Sequence, residues 1–194
     1  IRPILRGRDI KRFGYDWKNL WLINTHNGVK GKFPRIDIND YPAVKAHLDK
    51  YWAQLSNRED QGDTPYNLRN CAYLDLFFKP KICWKAVGRN LAFSIVDSGI
   101  FLTAPACFIS AGKYNNIILS YLCSKVGTYF IYKNSDTTGA GDIMLNIQSL
   151  VKFPVPFPLH TNLVSGISKE MIDKFVYSSY AFSNEEISYI ENNI

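Results

Sequence analysis

Between positions 64 and 70 the chain reads Thr-Pro-Tyr-Asn-Leu-Arg-Asn, a proline-stiffened bend carrying two amides and a guanidinium. Asn and Arg are the side chains that pair in bidentate fashion with adenine and guanine edges in a major groove. Asn67 and Arg69 are therefore candidate base contacts, joined on loop position and chemistry by Lys85, Arg89 and Lys133. Lys30, Lys32 and Arg35 stand beside the turn signals Asn27-Gly28 and Lys30-Gly31 and suit phosphates, which fix position and add affinity without reading sequence. A second basic cluster, IRPILRGRDIKRF, opens the chain, and its Arg6, Arg8, Lys11 and Arg12 are candidate phosphate contacts. Each has a plainer reading: Asn67 and Asn70 close turns, Arg69 pairs with an acid, and the basic face is only solvated.

Charge separates these readings in part. Residues 1–35 hold nine Lys/Arg against Asp9 and Asp16, net +7, whereas residues 36–194 carry net −1. A positive field so concentrated attracts nucleic acid or another anionic surface.

Other chemistries find less support. The three histidines, His26, His47 and His160, fall in different elements, and His47 beside Leu48 reads as a half-buried structural residue. Cys71, Cys83, Cys107 and Cys123 include no CxxC pair and lie near no histidine couple, so reduced thiols, mostly buried, are expected rather than a zinc site. GxSxG, HExxH, P-loop and dinucleotide fingerprints are absent. The run SDTTGAGD, 135–142, lacks the strand-then-helix setting of a phosphate cradle and reads as a loop that bends closely against a partner. Asp9-Ile10-Lys11 and Asp16-Trp17-Lys18 supply the Asp-x-Lys triplets of a metal-dependent phosphodiesterase, without the clustered carboxylates a cation needs.

The elements that must position these groups follow from patterning. With 46% hydrophobic and 14% aromatic residues, 194 residues suffice for one large domain with a real core. No apolar run reaches the ~18–20 residues of a membrane span, and the N-terminus lacks signal-peptide layout; with free thiols, this predicts a cytoplasmic protein. Residues 20–23 read as a buried strand. Val44, Leu48, Tyr51, Trp52 and Leu55 form an amphipathic stripe on one helix, with Pro42 in its first turn. Segments 81–84, 91–96 and 100–109 are β-like, 116–133 is a central helix, and 143–147 returns to strand. Three alternating prolines make 151–158 an edge or strap. The last 27 residues are acidic and predict two short helices, Ser183–Glu186 fitting a capping box. No internal repeat occurs.

Taken in order, IRPILRGRDIKRFGYDWKNLWLINTHNG, PRIDINDYPAVKAHLDKYWAQLSNREDQGDTPYNLRNCAYLDLFFKPKICW, CFISAG, YNNIILSYLCSKVGTYF and LVKFPVPFP resemble the TaqI-like C-terminal specificity domain of Type IIG restriction–modification enzymes and DNA adenine methyltransferases. The closing IDKFVYSSYAFSNEEISYIE is similar to the helical tail that often ends such proteins. The resemblance implies an α/β (mixed α+β) globule with a twisted, largely antiparallel sheet and packed helices, similar to the target recognition domains of Type I specificity subunits. A target recognition domain is expected over 1–160 and a helical tail packed on it over 161–194.

The resemblance also implies sequence-specific recognition of double-stranded DNA inside a bacterial enzyme, with the catalytic methyltransferase or nuclease domain of the same polypeptide as partner. Asn-Pro-Pro-Tyr and a methyl-donor loop are absent here; Asn39-Asp40-Tyr41-Pro42 is no substitute. No catalytic activity and no cofactor are expected of this chain, S-adenosylmethionine and Mg²⁺ belonging to the parent enzyme's other domains. The basic opening is then expected to be the strand by which the domain leaves its catalytic neighbour. The alternative is a protein-docking module using the acidic tail and aromatic residues.

Overall fold

The computed structural model describes residues 1–156 and 168–194. Its strands are β1 (Arg2–Arg6), β2 (Ile10–Lys11), β3 (Gly14–Tyr15), β4 (Trp21–Leu22), β5 (Lys81–Lys85), β6 (Val87–Gly88), β7 (Phe93–Val96), β8 (Phe101–Thr103), β9 (Ala106–Ile109), β10 (Asp136–Thr137) and β11 (Ile143–Met144). The helices are α1 (Pro42–Asp49), α2 (Trp52–Ser56), α3 (Asn115–Cys123), α4 (Lys125–Asn134), α5 (Ile147–Leu150), α6 (Lys169–Tyr180) and α7 (Asn184–Glu191). This is a mixed α+β chain with several small, largely antiparallel sheets. It divides into unit 1, Ile1–Arg2 with Trp21–Leu76, and unit 2, Pro3–Leu20 with Phe77–Ile194. The domain boundary expected at 160/161, His160 and the end of the proline strap lie outside the described residues; 151–156 forms neither strand nor helix.

Unit 2 is built on β5, which is antiparallel to β7 on one side (Lys81 opposite Val96) and to β9 on the other (Ile82 opposite Ile109). The expected strand over 100–109 is two strands, because Pro105 has no N–H to give a ladder. The chain changes sheets there: β8 runs parallel to β1 (Ile4 opposite Phe101), and β9 joins β5. Ile82, Trp84, Phe93, Ile117, Leu122 and Ile131 form the core with Leu145, Leu150, Ile172, Val176 and Ile190. Trp84 Nε1 donates to the Leu145 carbonyl at 2.8 Å, so the largest buried ring leaves no polar atom unpaired.

The central helix expected over 116–133 is broken at Ser124. Its backbone is extended, and its Oγ accepts from the Gly127 N–H at 3.0 Å, capping α4. The corner is closed to side chains at Gly127, where a Cβ would lie 2.3 Å from the Tyr121 carbonyl oxygen. The two tail helices form as expected, and Ser183 and Glu186 make the reciprocal capping box. They are built into the same core as 77–156. Buried Asp173 on α6 accepts from the Lys125 N–H at 2.7 Å at the start of α4, where helix dipole and free N–H groups favour a carboxylate. Glu191 accepts from Lys125 Nζ (2.7 Å) and the Tyr177 hydroxyl (3.0 Å).

Unit 1 is made differently. Its buried residues are Thr25, Ile38, Asn67 and Leu74, two of them polar. The expected stripe helix is two short helices, α1 and α2, and none of their residues is buried. Tyr51 and Trp52 stay nearly half exposed, and His47 is exposed against the Tyr51 ring rather than half-buried. The expected buried strand over 20–23 is the two-residue β4, with Trp21 54% exposed. No helix among the described residues is long and apolar enough to cross a membrane.

Candidate nucleic-acid interface

In unit 1 two loops are tied together by polar side chains. Residues 26–36 close on themselves through Val29 and Phe33, which exchange backbone bonds of 3.0 and 3.1 Å, and through Ile36 N–H to the His26 carbonyl. Gly28 has φ +76, and a Cβ there would lie 2.6 Å from the Arg35 nitrogen, so only glycine fits. His26 Nδ1 accepts from the Gly28 N–H at 3.1 Å, and burial lowers the pKa of its imidazole. The second loop, 61–70, is joined to the first by Leu68 N–H to the Thr25 carbonyl and Thr25 Oγ1 to the Tyr66 carbonyl, 2.9 and 2.6 Å.

Asn67 completes that joint and is corrected as a base contact. It is 1% exposed. Its amide nitrogen donates to the carbonyls of Ile36 (3.0 Å) and Thr25 (3.4 Å), and its oxygen accepts from Thr64 Oγ1 at 2.6 Å. A buried amide with both ends satisfied holds loops; it has nothing left to offer a base. Arg69 is exposed and paired with Asp60 at 3.1 Å, the acid partner that the plainer reading supplied.

Between the two loops lies an open groove of about 600 Å³ lined by residues 27–35 with Asp63 and Asn70. Lys30 and Arg35 are exposed on it and have no ion-pair partner among the described residues. Lys32 is drawn to Asp75 at 2.6 Å, which anchors the loop. The floor is a hub at Asn27, whose Nδ2 donates to Asp63 and Asn70 and whose Oδ1 accepts from the Asp63 N–H. Gly62 is required beneath it: a Cβ would meet the Asn27 side chain at 2.7 Å. Asn27 and Asp63 were not among the sequence candidates, and the turn signal Asn27-Gly28 was their only local trace.

In unit 2 most of the N-terminal cations are occupied. Arg6 grips buried Asp9 with two guanidinium bonds (3.0 and 2.9 Å) and its own N–H (2.9 Å). The Arg6 guanidinium holds the Asp9 carboxyl below its ordinary pKa and is itself raised by it. Asp9 is thus spent on an ion pair rather than available to a cation, and Asp16 pairs with Lys18. Arg12, at the tip of the β2–β3 hairpin, donates to the Cys123 carbonyl at the C-terminal end of α3, where cations are favoured. Lys11 Nζ donates to the Arg8 carbonyl at 3.0 Å, while the Arg8 guanidinium is exposed and unpaired among the described residues.

Lys85, exposed at the end of β5, lays its stem over Gly7, where a Cβ would meet its Cγ at 3.0 Å, and its Nζ approaches Gly88. Arg89 follows β6 and meets Asp142 at 3.5 Å and the Ala140 carbonyl at 3.4 Å. Lys133 lies over the Tyr129 ring at 5.6 Å. The SDTTGAGD run is the β10–β11 hairpin, closed by Thr138 N–H to the Asp142 carbonyl at 2.8 Å, and not a phosphate cradle. All four cysteines are free, Cys83 and Cys123 buried and Cys71 and Cys107 half-buried. Among the described residues no three His, Cys, Asp or Glu side chains are grouped so as to hold a metal ion.

A search of curated proteins returned no match. A family model does match: the TaqI-like C-terminal specificity domain, over residues 2–155, which takes in the groove loops of unit 1 and most of the unit 2 core and leaves α6 and α7 beyond it. Since that match spans well over half of the sequence, the chain belongs to the TaqI-like C-terminal specificity domain family.

Proposed function

We propose that this chain is the sequence-reading part of a larger bacterial restriction–modification enzyme and binds double-stranded DNA without catalytic activity of its own. The observation that carries the reading is the family match over 2–155. The exposed cationic groove of unit 1 supports it, because Lys30 and Arg35 leave their charge unneutralised at the mouth of a built loop pair. In unit 2, Arg8 and Lys85 are further phosphate contacts in this reading, both exposed. Arg6 and Arg12 contribute by holding the backbone in place; Lys11, Lys32, Arg69, Arg89 and Lys133 each engage an internal partner that a phosphate or base would displace.

An enzyme that modifies a base must take it out of the stack, which calls for a separate element to hold register on the duplex. A non-catalytic reader attached to an adenine methyltransferase of the Type IIG kind, with or without nuclease, supplies that element. S-adenosylmethionine and Mg²⁺ then belong to the other domains of the polypeptide, and the bacterial cytoplasm is the compartment. Binding of the chain to duplex DNA should fall with salt, log K declining by about 0.9 per phosphate contact for each unit of log salt. Titration of fluorescent duplexes at several salt concentrations measures this, and absence of duplex binding at low salt defeats the reading.

A further inference from the structure

The Asn27 hub gives the groove more than charge. Asn27 Nδ2 lies 2.8 Å from Asp63 Oδ1 and 2.7 Å from Asn70 Oδ1, and Asn27 Oδ1 accepts from the Asp63 N–H at 2.9 Å. Every polar atom of the Asn27 amide is engaged, and its donation sets the Asn70 amide with oxygen inward and Nδ2 turned away. Asn70 Nδ2 and Asp63 Oδ2 have no partner among the described residues, and both side chains are exposed and line the groove. The hub therefore holds one acceptor beside one donor, with Lys30 and Arg35 on the same groove.

A Watson–Crick pair in the major groove also presents a donor beside acceptors. Cytosine offers N4–H flanked by an unreactive C5–H, and its guanine offers O6 and N7 as acceptors. Adenine also offers a donor, N6–H, but beside N7, whose lone pair repels a carboxylate. A carboxylate next to an amide N–H₂ is thus matched to G·C over A·T. We propose that Asp63 and Asn70 are the specificity-determining pair of this domain and read one G·C base pair, Asp63 Oδ2 accepting from cytosine N4–H and Asn70 Nδ2 donating to guanine O6 or N7. This rests on the duplex-reading function proposed above.

The test is selection of the full chain on a randomised duplex library at low salt, repeated with Asp63→Asn, Asn70→Ala and Lys30→Ala. Asp63→Asn keeps an oxygen for Asn27 but replaces the outward acceptor by a donor. It should lower preference for cytosine at one position roughly 5- to 100-fold and leave the other positions unchanged. Asn70→Ala should weaken the same position. Lys30→Ala should weaken all sequences alike and make the log–log salt slope shallower by about 0.9. Thermal unfolding of each variant verifies that the loops remain folded. Binding without sequence preference, or a preference that survives both Asp63→Asn and Asn70→Ala, overturns the inference and leaves duplex binding standing. No duplex binding at all overturns the DNA reading beneath it.

Discussion

Unit 2 buries aromatic and aliphatic side chains from β5, β7, α3, α4, α6 and α7 in a large core, with Leu5, Ile10, Cys83 and Val96 in a second cluster, whereas unit 1 buries only Ile38 and Leu74 among apolar residues, together with polar Thr25 and Asn67. Apolar burial stabilises unit 2 without directional demands; unit 1 depends on hydrogen bonds that work only when donor and acceptor are both in place. The two kinds of construction suit different tasks. A packed scaffold tolerates little change of volume, while loops held by side-chain amides can alter their outward groups and keep their inward ones. The groove of unit 1 shows this division residue by residue: Asn67 and Asn27 are turned inward, and Asp63, Asn70, Lys30 and Arg35 are turned out.

The contrast can be broken most directly in the tail. Deleting 168–194 removes Ile172, Val176, Tyr177 and Ile190 from the core and should abolish cooperative unfolding of unit 2 by circular dichroism. Retention of a sharp transition would mean that α6 and α7 are an appendage. Less drastically, Ile172→Ala should cost about 2–5 kcal/mol in urea unfolding. Asn67→Ala should cost about 1–3 kcal/mol by leaving the Ile36 carbonyl and the Thr64 hydroxyl unpaired, while the Thr25 carbonyl keeps only its bond from the Leu68 N–H. If Asn67→Ala were neutral, unit 1 would owe its form to something other than its polar staples.

The Arg6–Asp9 pair sharpens the same comparison within unit 2. Asp9 has a depressed pKa, so its contribution is complete above the ordinary aspartate value of about 4 and is lost as pH falls through the depressed value. Wild type should exceed Asp9→Asn in stability at neutral pH, and the two curves should converge in acid; curves that stay parallel down to pH 2 would deny the pair this role. The smallest effect concerns thiols. Burial pushes Cys83 and Cys123 up to about 12, so at pH 8 a disulfide reagent should label Cys71 and Cys107 first in the folded chain.

Much of unit 2 was legible in sequence because apolar periodicity reports burial. The strands at 81–85 and 93–96, the helical character of 115–134, the two tail helices and the Ser183–Glu186 capping box were all expected within a few residues. The misreadings have local causes. Ser124 interrupts a helix whose apolar pattern runs straight through it, because a hydroxyl competes for the Gly127 N–H. Pro105 divides one apolar run between two sheets. In unit 1 the stripe of Val44, Leu48 and Trp52 suggested a buried face, yet short helices with no core to meet leave Trp52 on the Tyr66 ring instead.

The candidate site divides along the same line. Residue type and order were enough to identify a basic chain of the TaqI-like C-terminal specificity domain family, and Lys30, Lys32, Arg35 and Arg69, chosen there as candidate contacts, are all exposed. Only the tertiary structure decided that Asn67 faces inward, that Arg6, Arg12 and Lys32 hold internal partners, and that Asn27, Asp63 and Asn70 share one nitrogen across 43 residues of sequence. An amide carries the same letter whether it staples a loop or meets a base. Which of its ends is satisfied depends on groups that the fold brings from elsewhere.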